Sequence, residues 1–142
     1  MIEVEHQGRV AILTIRRPQR RNALGSDIVA MLLTAMEAAN TNDNVGAIVL
    51  TGEAPSFCAG SDLKELGRLD ITGMVSHELE TGRVARRIGM LNIPVIAAVE
   101  GHALGGGFIL AASCDLVVSA RSAIWSLPEV PNGWLPPWGL KA

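Results

Sequence analysis

Two short segments, FCAGSD at 57–62 and LGGGF at 104–108, each set glycine between an apolar run and a helix-like one. The first N–H groups of a helix lack an internal acceptor, and the helix dipole makes that end electropositive. Two such helix starts brought together would aim two backbone N–H groups at a single oxygen. That is an oxyanion hole, which serves carbonyl chemistry in which negative charge grows on oxygen. One donor of this kind is worth roughly 2.7–4 kcal/mol in the transition state. The glycine run at 105–107 would also let a flat ester or thioester lie against bare backbone. Close packing of a helix on a strand accounts for any one such loop at least as well. A nucleotide loop fits worse, since GHALGGG matches neither G-x-G-x-x-G nor G-x-x-x-x-G-K-[ST].

Other reactive side chains are scattered. Ser113, His102 and Asp115 are the residue types of a hydrolytic triad, but there is no G-x-S-x-G turn and the serine falls inside a helical run. Asp62 and Asp115 read as caps or loop anchors, and His6 and His77 as surface residues. Cys58 and Cys114 have no metal-type spacing and lie in apolar surroundings, so they read as free buried thiols. Arg16, Arg17, Arg20 and Arg21 crowd the segment IRRPQRRN, which is either solvated surface or a phosphate site. Trp125, Trp134 and Trp138 read as core or interface residues, with the last two close enough to Glu129 in sequence to line a pocket beside it.

These residues need a scaffold of alternating strands and helices. VAILTI at Val10–Ile15 is a strand, ended by RRP. Ser26–Asn40 is a helix, capped by Ser26 or Asp27, with Ile28, Met31, Leu32, Ala35, Met36 and Ala39 at helical spacing on one face. Residues 46–52 (GAIVLTG) and 93–101 (IPVIAAVEG) are apolar strands of the kind covered on both sides. Residues 53–66 run from loop into helix, a second helix lies within 77–91, residues 105–114 form a short helix, and 115–120 a strand. The proline-rich stretch 127–142 is loop. Apolar strands alternating with helices predict an α/β layered fold, with one domain over 1–142.

Composition excludes several classes. The 142 residues are 49% hydrophobic and 18% charged, which suits a globular domain and not a disordered chain. A net charge of −2 gives no basis for nucleic-acid binding. No apolar run approaches the ~18 residues of a membrane span, and the first residues lack a signal-peptide core. A cytoplasmic protein, or at most one of an organelle matrix, with no membrane partner is expected. The chain stops just after PWGL with no closing element, so truncation at the C-terminus is expected.

Taken together, RRPQRRNAL after the first strand, GEAPSFCAGSDLKEL, IPVIAAVEGHALGGGFILAASCDLVVSA and LPEVPNGWLPPWGL resemble the crotonase, or enoyl-CoA hydratase/isomerase, superfamily over nearly the whole chain. The second and third are specific in combination; the first alone is weak. The resemblance implies a crotonase-type fold of repeated ββα units, whose C-terminal helical part is missing here. It implies an acyl-CoA substrate, with coenzyme A as part of the substrate and no separate cofactor or metal. An enolate oxyanion would be held by the N–H groups of Ser61 and Gly106. Arg16, Arg17, Arg20 and Lys64 become partners for the CoA phosphates, with Ala59 and Gly105 at the backbone of the same site. Arginine suits phosphate because its planar fork donates two parallel hydrogen bonds. Family members are trimers or pairs of trimers, so a homotrimer or hexamer is implied for the full-length protein.

One departure bears on the reaction. Family hydratases carry two glutamates that hold and activate the water, and the motif match places them at Ile109 and Glu129. Isoleucine can neither take a proton nor hold water. The resemblance therefore implies an isomerase with Glu129 as its single base, moving a Δ3 double bond to Δ2, with Ile109 as an apolar wall. Single-glutamate isomerases of the family are similar here, with an aliphatic residue at the first position and a Trp- and Pro-containing stretch like GWLPPWGLK after the second. A hydratase-like lyase or an acyl-CoA hydrolase that recruits another residue stays open, as does a non-catalytic fragment or pseudoenzyme.

Overall fold

The structure, a computed structural model, describes residues 1–133. It opens with a hairpin in which β1 (Ile2–Gln7) runs antiparallel to β2 (Val10–Ile15). Strand pairs and helices then alternate: α1 (Ser26–Asn40), β3 (Ala47–Gly52), β4 (Ser56–Cys58), α2 (Leu63–Leu66), α3 (Ile71–Ile88), β5 (Val95–Val99), β6 (His102–Leu104), α4 (Gly106–Ala112), β7 (Leu116–Ser119) and β8 (Ile124–Ser126). The repeating unit is two strands followed by a helix.

From β3 onward, the strands of each pair part company and enter different sheets. The larger sheet has the order β1-β2-β3-β5-β7 and is parallel from β2 onward. Leu13, Ile15, Ile48, Leu50, Val95 and Ala97 of its inner strands are fully buried in one cluster with Ile28, Leu32 and Met36 of α1. Each fully buried Leu, Ile or Val of this kind contributes about 1.5–3 kcal/mol. The smaller sheet, β4-β6-β8, is parallel throughout. Its three strands therefore end at the same edge, and the segments after them (59–61, 105–106 and 127–129) leave the sheet side by side. The carboxyl edge of a parallel sheet is where ligands settle.

Two expected elements differ in detail. Helix α1 spans its expected residues, but its cap is Gly25 and not Ser26 or Asp27. Ser26 lies inside the helix, where its Oγ donates to Glu65 Oε1 at 2.5 Å. Helix α3 begins at Ile71, capped by Asp70 Oδ1, which accepts from the Gly73 N–H at 2.8 Å. Ile71, Val75 and Leu79 stand four apart but are exposed, and the buried face of the helix carries His77, Thr81, Val84 and Ile88, so the core-facing side of its first half is not its apolar one. Strands β1, β4, β6 and β8 lie outside the expected strands.

Candidate active site

Ser61 sits between two hydrogen bonds to one residue: the Leu24 N–H donates to Gly60 O (2.8 Å), and the Asp62 N–H donates to Leu24 O (3.0 Å). In such a parallel bridge, the groups of the middle residue face the other way, so the Ser61 N–H turns from Leu24. Gly60 has a φ of +85°, and a Cβ there would stand 2.9 Å from Leu104 O and 3.1 Å from the Gly106 nitrogen. The first glycine loop thus touches the start of α4. Gly106 is the first residue of that helix, so its N–H has no acceptor within the helix. Neither the Ser61 nor the Gly106 N–H has a partner among the described residues.

The third segment brings a carboxylate to the same place. A Cβ on Gly105, whose φ is +53°, would lie 2.6 Å from Glu129 Oε1. Glu129 is half-buried, and its Oε2 is shielded from solvent without a hydrogen-bond partner among the described residues. Gly107 has a plainer role, because a Cβ there would collide with the Cys58 carbonyl group; it lets α4 pack on β4. Ile109, one turn into α4, is 4% exposed. Beside it in sequence, Phe108 meets Trp125 edge to face at 5.3 Å, and the Trp125 Nε1–H donates to Ser119 Oγ (3.1 Å). Trp134 and Trp138 lie outside the described residues.

The basic residues separate into two groups. Arg16 pairs with Glu3 (2.7 Å) and Glu53 (3.2 Å), and its hydrogen bonds to Glu53 and then Glu3 hold the guanidinium above its ordinary value. Arg17 pairs with Asp62 (2.9 Å) and also donates to Ala23 O (3.3 Å). Arg20 and Lys64, together with Arg21, instead line a shallow cavity of about 280 Å³ that also reaches Ala59 and Ser61. Burial pushes the Asp62 carboxyl up, but the Glu65 and Lys64 N–H groups, and then the charges of Arg17 and Arg20, outweigh it and hold it below its ordinary value. Asp62 is the side-chain cap of α2, as expected of a cap.

Asn22 is not legible as a site residue. It is fully buried, its Nδ2 donates to Glu53 O (2.7 Å) and Ser56 O (2.6 Å), and its Oδ1 accepts from the Arg17 N–H (2.9 Å). It fastens the arginine loop to β4, and the only signal is an asparagine directly after the arginines. Glu78 of α3 also faces this region, accepting from Ser61 Oγ at 3.4 Å.

His77 corrects an expectation. It is buried and not on the surface, with Nδ1 3.5 Å from Ser26 Oγ, because its face of α3 turns toward α1. His6 is exposed. The triad types do not assemble: Ser113 Oγ donates to Ile109 O (2.8 Å), Asp115 Oδ2 accepts from the Val95 N–H (2.8 Å), and His102 faces Ser56 (3.2 Å). Cys58 and Cys114 are free and buried. Burial pushes both thiols up to about 12. Among the described residues no three His, Cys, Asp or Glu side chains group as metal ligands, and no helix is long and apolar enough to cross a membrane.

Comparison with known proteins gives the family. The family model described as enoyl-CoA hydratase/isomerase matches residues 5–142. A protein of Escherichia coli (strain K12) named 2,3-dehydroadipyl-CoA hydratase is 39% identical over 133 residues, which is 94% of this chain and 51% of that protein. The crystal structure of an enoyl-CoA hydratase from Polaromonas sp. JS666 is similar with a TM-score of 0.92 and 37% identity, over 97% of this chain and 55% of that one. An enoyl-CoA hydratase from Bacillus anthracis gives a TM-score of 0.93 at 29% identity, over 96% of this chain and 54% of that one. The chain spans about half the length of the curated relatives it matches.

Proposed function

The chain belongs to the enoyl-CoA hydratase/isomerase family, and from that premise we propose that it is the part of an acyl-CoA enzyme that carries an oxyanion site and one carboxylate base. The N–H groups of Ser61 and Gly106 would receive the thioester oxygen. Glu129 takes a proton from the carbon next to the thioester carbonyl, the charge spreads onto that oxygen, and the proton returns to the far end of the dienolate. The double bond moves from Δ3 to Δ2, and no water is consumed. The CoA phosphates would lie along Arg20 and Lys64, which flank Ser61 in one cavity.

The observation that carries this reading is the Glu129 carboxylate seated against Gly105, with Oε2 buried and unpartnered among the described residues. A buried oxygen without a partner is destabilising, and a substrate proton would relieve it. Ile109 at the position one turn into α4 leaves that helix with nothing to hold a second, attacking water. Hydration is the second reading, favoured by the hydratase names of the relatives; it requires a second polar group from elsewhere. A cytoplasmic homotrimer or hexamer of the full-length protein is proposed with either reading, on the family resemblance.

Assaying 3-enoyl-CoA and 2-enoyl-CoA side by side on the protein tests the choice. Isomerisation of the first should exceed hydration of the second at equal acyl length. Faster hydration would establish the second reading, and CoA binding without turnover of either substrate would point to a non-catalytic role.

A further inference from the structure

We infer that the Arg17–Asp62 ion pair is the device that aims the Ser61 N–H, which makes Arg17 a positioning residue and not a ligand of the CoA phosphates. This rests on the reading of Ser61 as an oxyanion donor. An arginine in a cluster beside a phosphate cavity is ordinarily assigned to the phosphate, yet the guanidinium of Arg17 is already engaged within the fold. One nitrogen bonds Asp62 Oδ2 at 2.9 Å and another donates to Ala23 O at 3.3 Å. Arg17 is absent from the lining of the cavity that holds Arg20, Arg21 and Lys64.

Asp62 directly follows Ser61, and its carboxylate has two tasks. Oδ1 accepts from the Lys64 N–H (3.0 Å) and the Glu65 N–H (3.3 Å), which starts α2, while Oδ2 takes Arg17. Behind Arg17 the chain is equally fixed: its own N–H donates to Oδ1 of buried Asn22, which is tied by Nδ2 to Glu53 O and Ser56 O at the start of β4. On the near side of Ser61, the Gly60 and Asp62 backbone groups are held by Leu24. The peptide carrying the Ser61 N–H is therefore clamped to the loop after β2 by backbone and side chain together. Asp62 is 4% exposed and the Arg17 side chain 21%, so water competes little for the pair. A donor acts on a developing oxyanion only if it is held in place before the reaction.

Arg17→Met should leave CoA binding within about threefold of the parent and keep the parent's preference for CoA over dephospho-CoA, measured by calorimetry. The same variant should lose most of the enolate absorbance that saturating acetoacetyl-CoA develops in an oxyanion hole, with kcat on 3-enoyl-CoA falling on the order of tenfold to hundredfold, the size of a misplaced-group effect. Arg20→Met should do the opposite, weakening CoA while sparing the enolate signal at saturation. If Arg17→Met fails to fold, Arg17→Lys replaces it. Lysine keeps the charge but has no planar fork to span Asp62 and Ala23, so a partly diminished enolate signal with normal CoA affinity is expected. Weakened CoA affinity with a normal enolate at saturation in the Arg17 variant would overturn the inference, as would no change in either. No enolate in the parent despite CoA binding would instead defeat the oxyanion reading on which the inference stands.

Discussion

Glu129 presses its carboxylate against Gly105 with Oε2 buried and unpartnered among the described residues, and the proposed reaction uses it as the base. Glu129→Gln keeps the volume against Gly105 but cannot take a proton. Turnover should fall about 10²–10⁴-fold, the range for losing a general base, with CoA affinity by calorimetry unchanged; near-normal isomerisation would remove Glu129 from the chemistry. Ser61, Gly106 and Glu129 come from the sequence only through the motifs that resemble the family, and the structure brings their three segments together. The pairing of Arg17 is not legible at all, because Asp62 is remote in sequence and nothing local distinguishes Arg17 from Arg16 or Arg20. The apolar neighbours of Cys58 mark it as buried, and its thiol gives a second test. With both thiols pushed up to about 12 by burial, the native protein should resist a thiol-labelling reagent at pH 8 and react fully in denaturant. A thiol raised in the folded state stabilises the fold below its ordinary value of 9.0, and that contribution is lost as pH rises toward 12. Urea midpoints should therefore drop above pH 9.

Among the elements, long helices with a continuous apolar face are readable and short strands are not. Helix α1 buries Ile28, Leu32, Met36 and Ala39 at helical spacing, and its span follows from that spacing, although Met31, expected on the same face, is exposed and Val29 is buried in its place. Strands β4, β6 and β8 have three residues each, too few for an alternation to register, and they exist because each completes a parallel neighbour. Yet those strands carry all three segments of the site. The contact that joins them, α4 on β4 through Gly107, can be tested alone. Gly107→Ala should destabilise the fold, because its methyl would meet the Cys58 backbone and not a flexible side chain; overpacking of this kind typically costs about 1–3 kcal/mol. A denaturation midpoint equal to the parent's would mean that α4 can shift at no cost. The cap of α2 has an acid signature. Asp62 is held below its ordinary value of 3.8, so its stabilisation is present above that pH and is lost as the pH falls through the lower folded value. Asp62→Asn should remove that part of the acid transition, seen as a shallower loss of stability below pH 4.

At the scale of the molecule, the two sides of the large sheet differ in how well they are protected. The β1 side ends in a strand carrying Glu3, Glu5 and His6, charged or polar residues of the kind that discourage further pairing. The β7 side has no such protection among the described residues. Among the described residues β7 is the last strand of its sheet, and Leu116, Val117 and Val118 on it are 62%, 43% and 66% exposed. Ile124 of β8 and Leu127 and Val130 beyond it add to the same exposed apolar set. An unpaired apolar edge offers both backbone hydrogen bonds and apolar area to another chain. The 142-residue chain should therefore associate as its concentration rises, with the weight-average sedimentation coefficient increasing across a dilution series. Val118→Lys places a charge on that strand and should shift the series toward the monomer while leaving the β4-β6-β8 sheet, and with it the Glu129 segment, unaltered. Association that persists unchanged in Val118→Lys would place the contact on another surface, such as the exposed Ile71, Val75 and Leu79 of α3; a monomer at every concentration would show that exposure at β7 does not drive assembly.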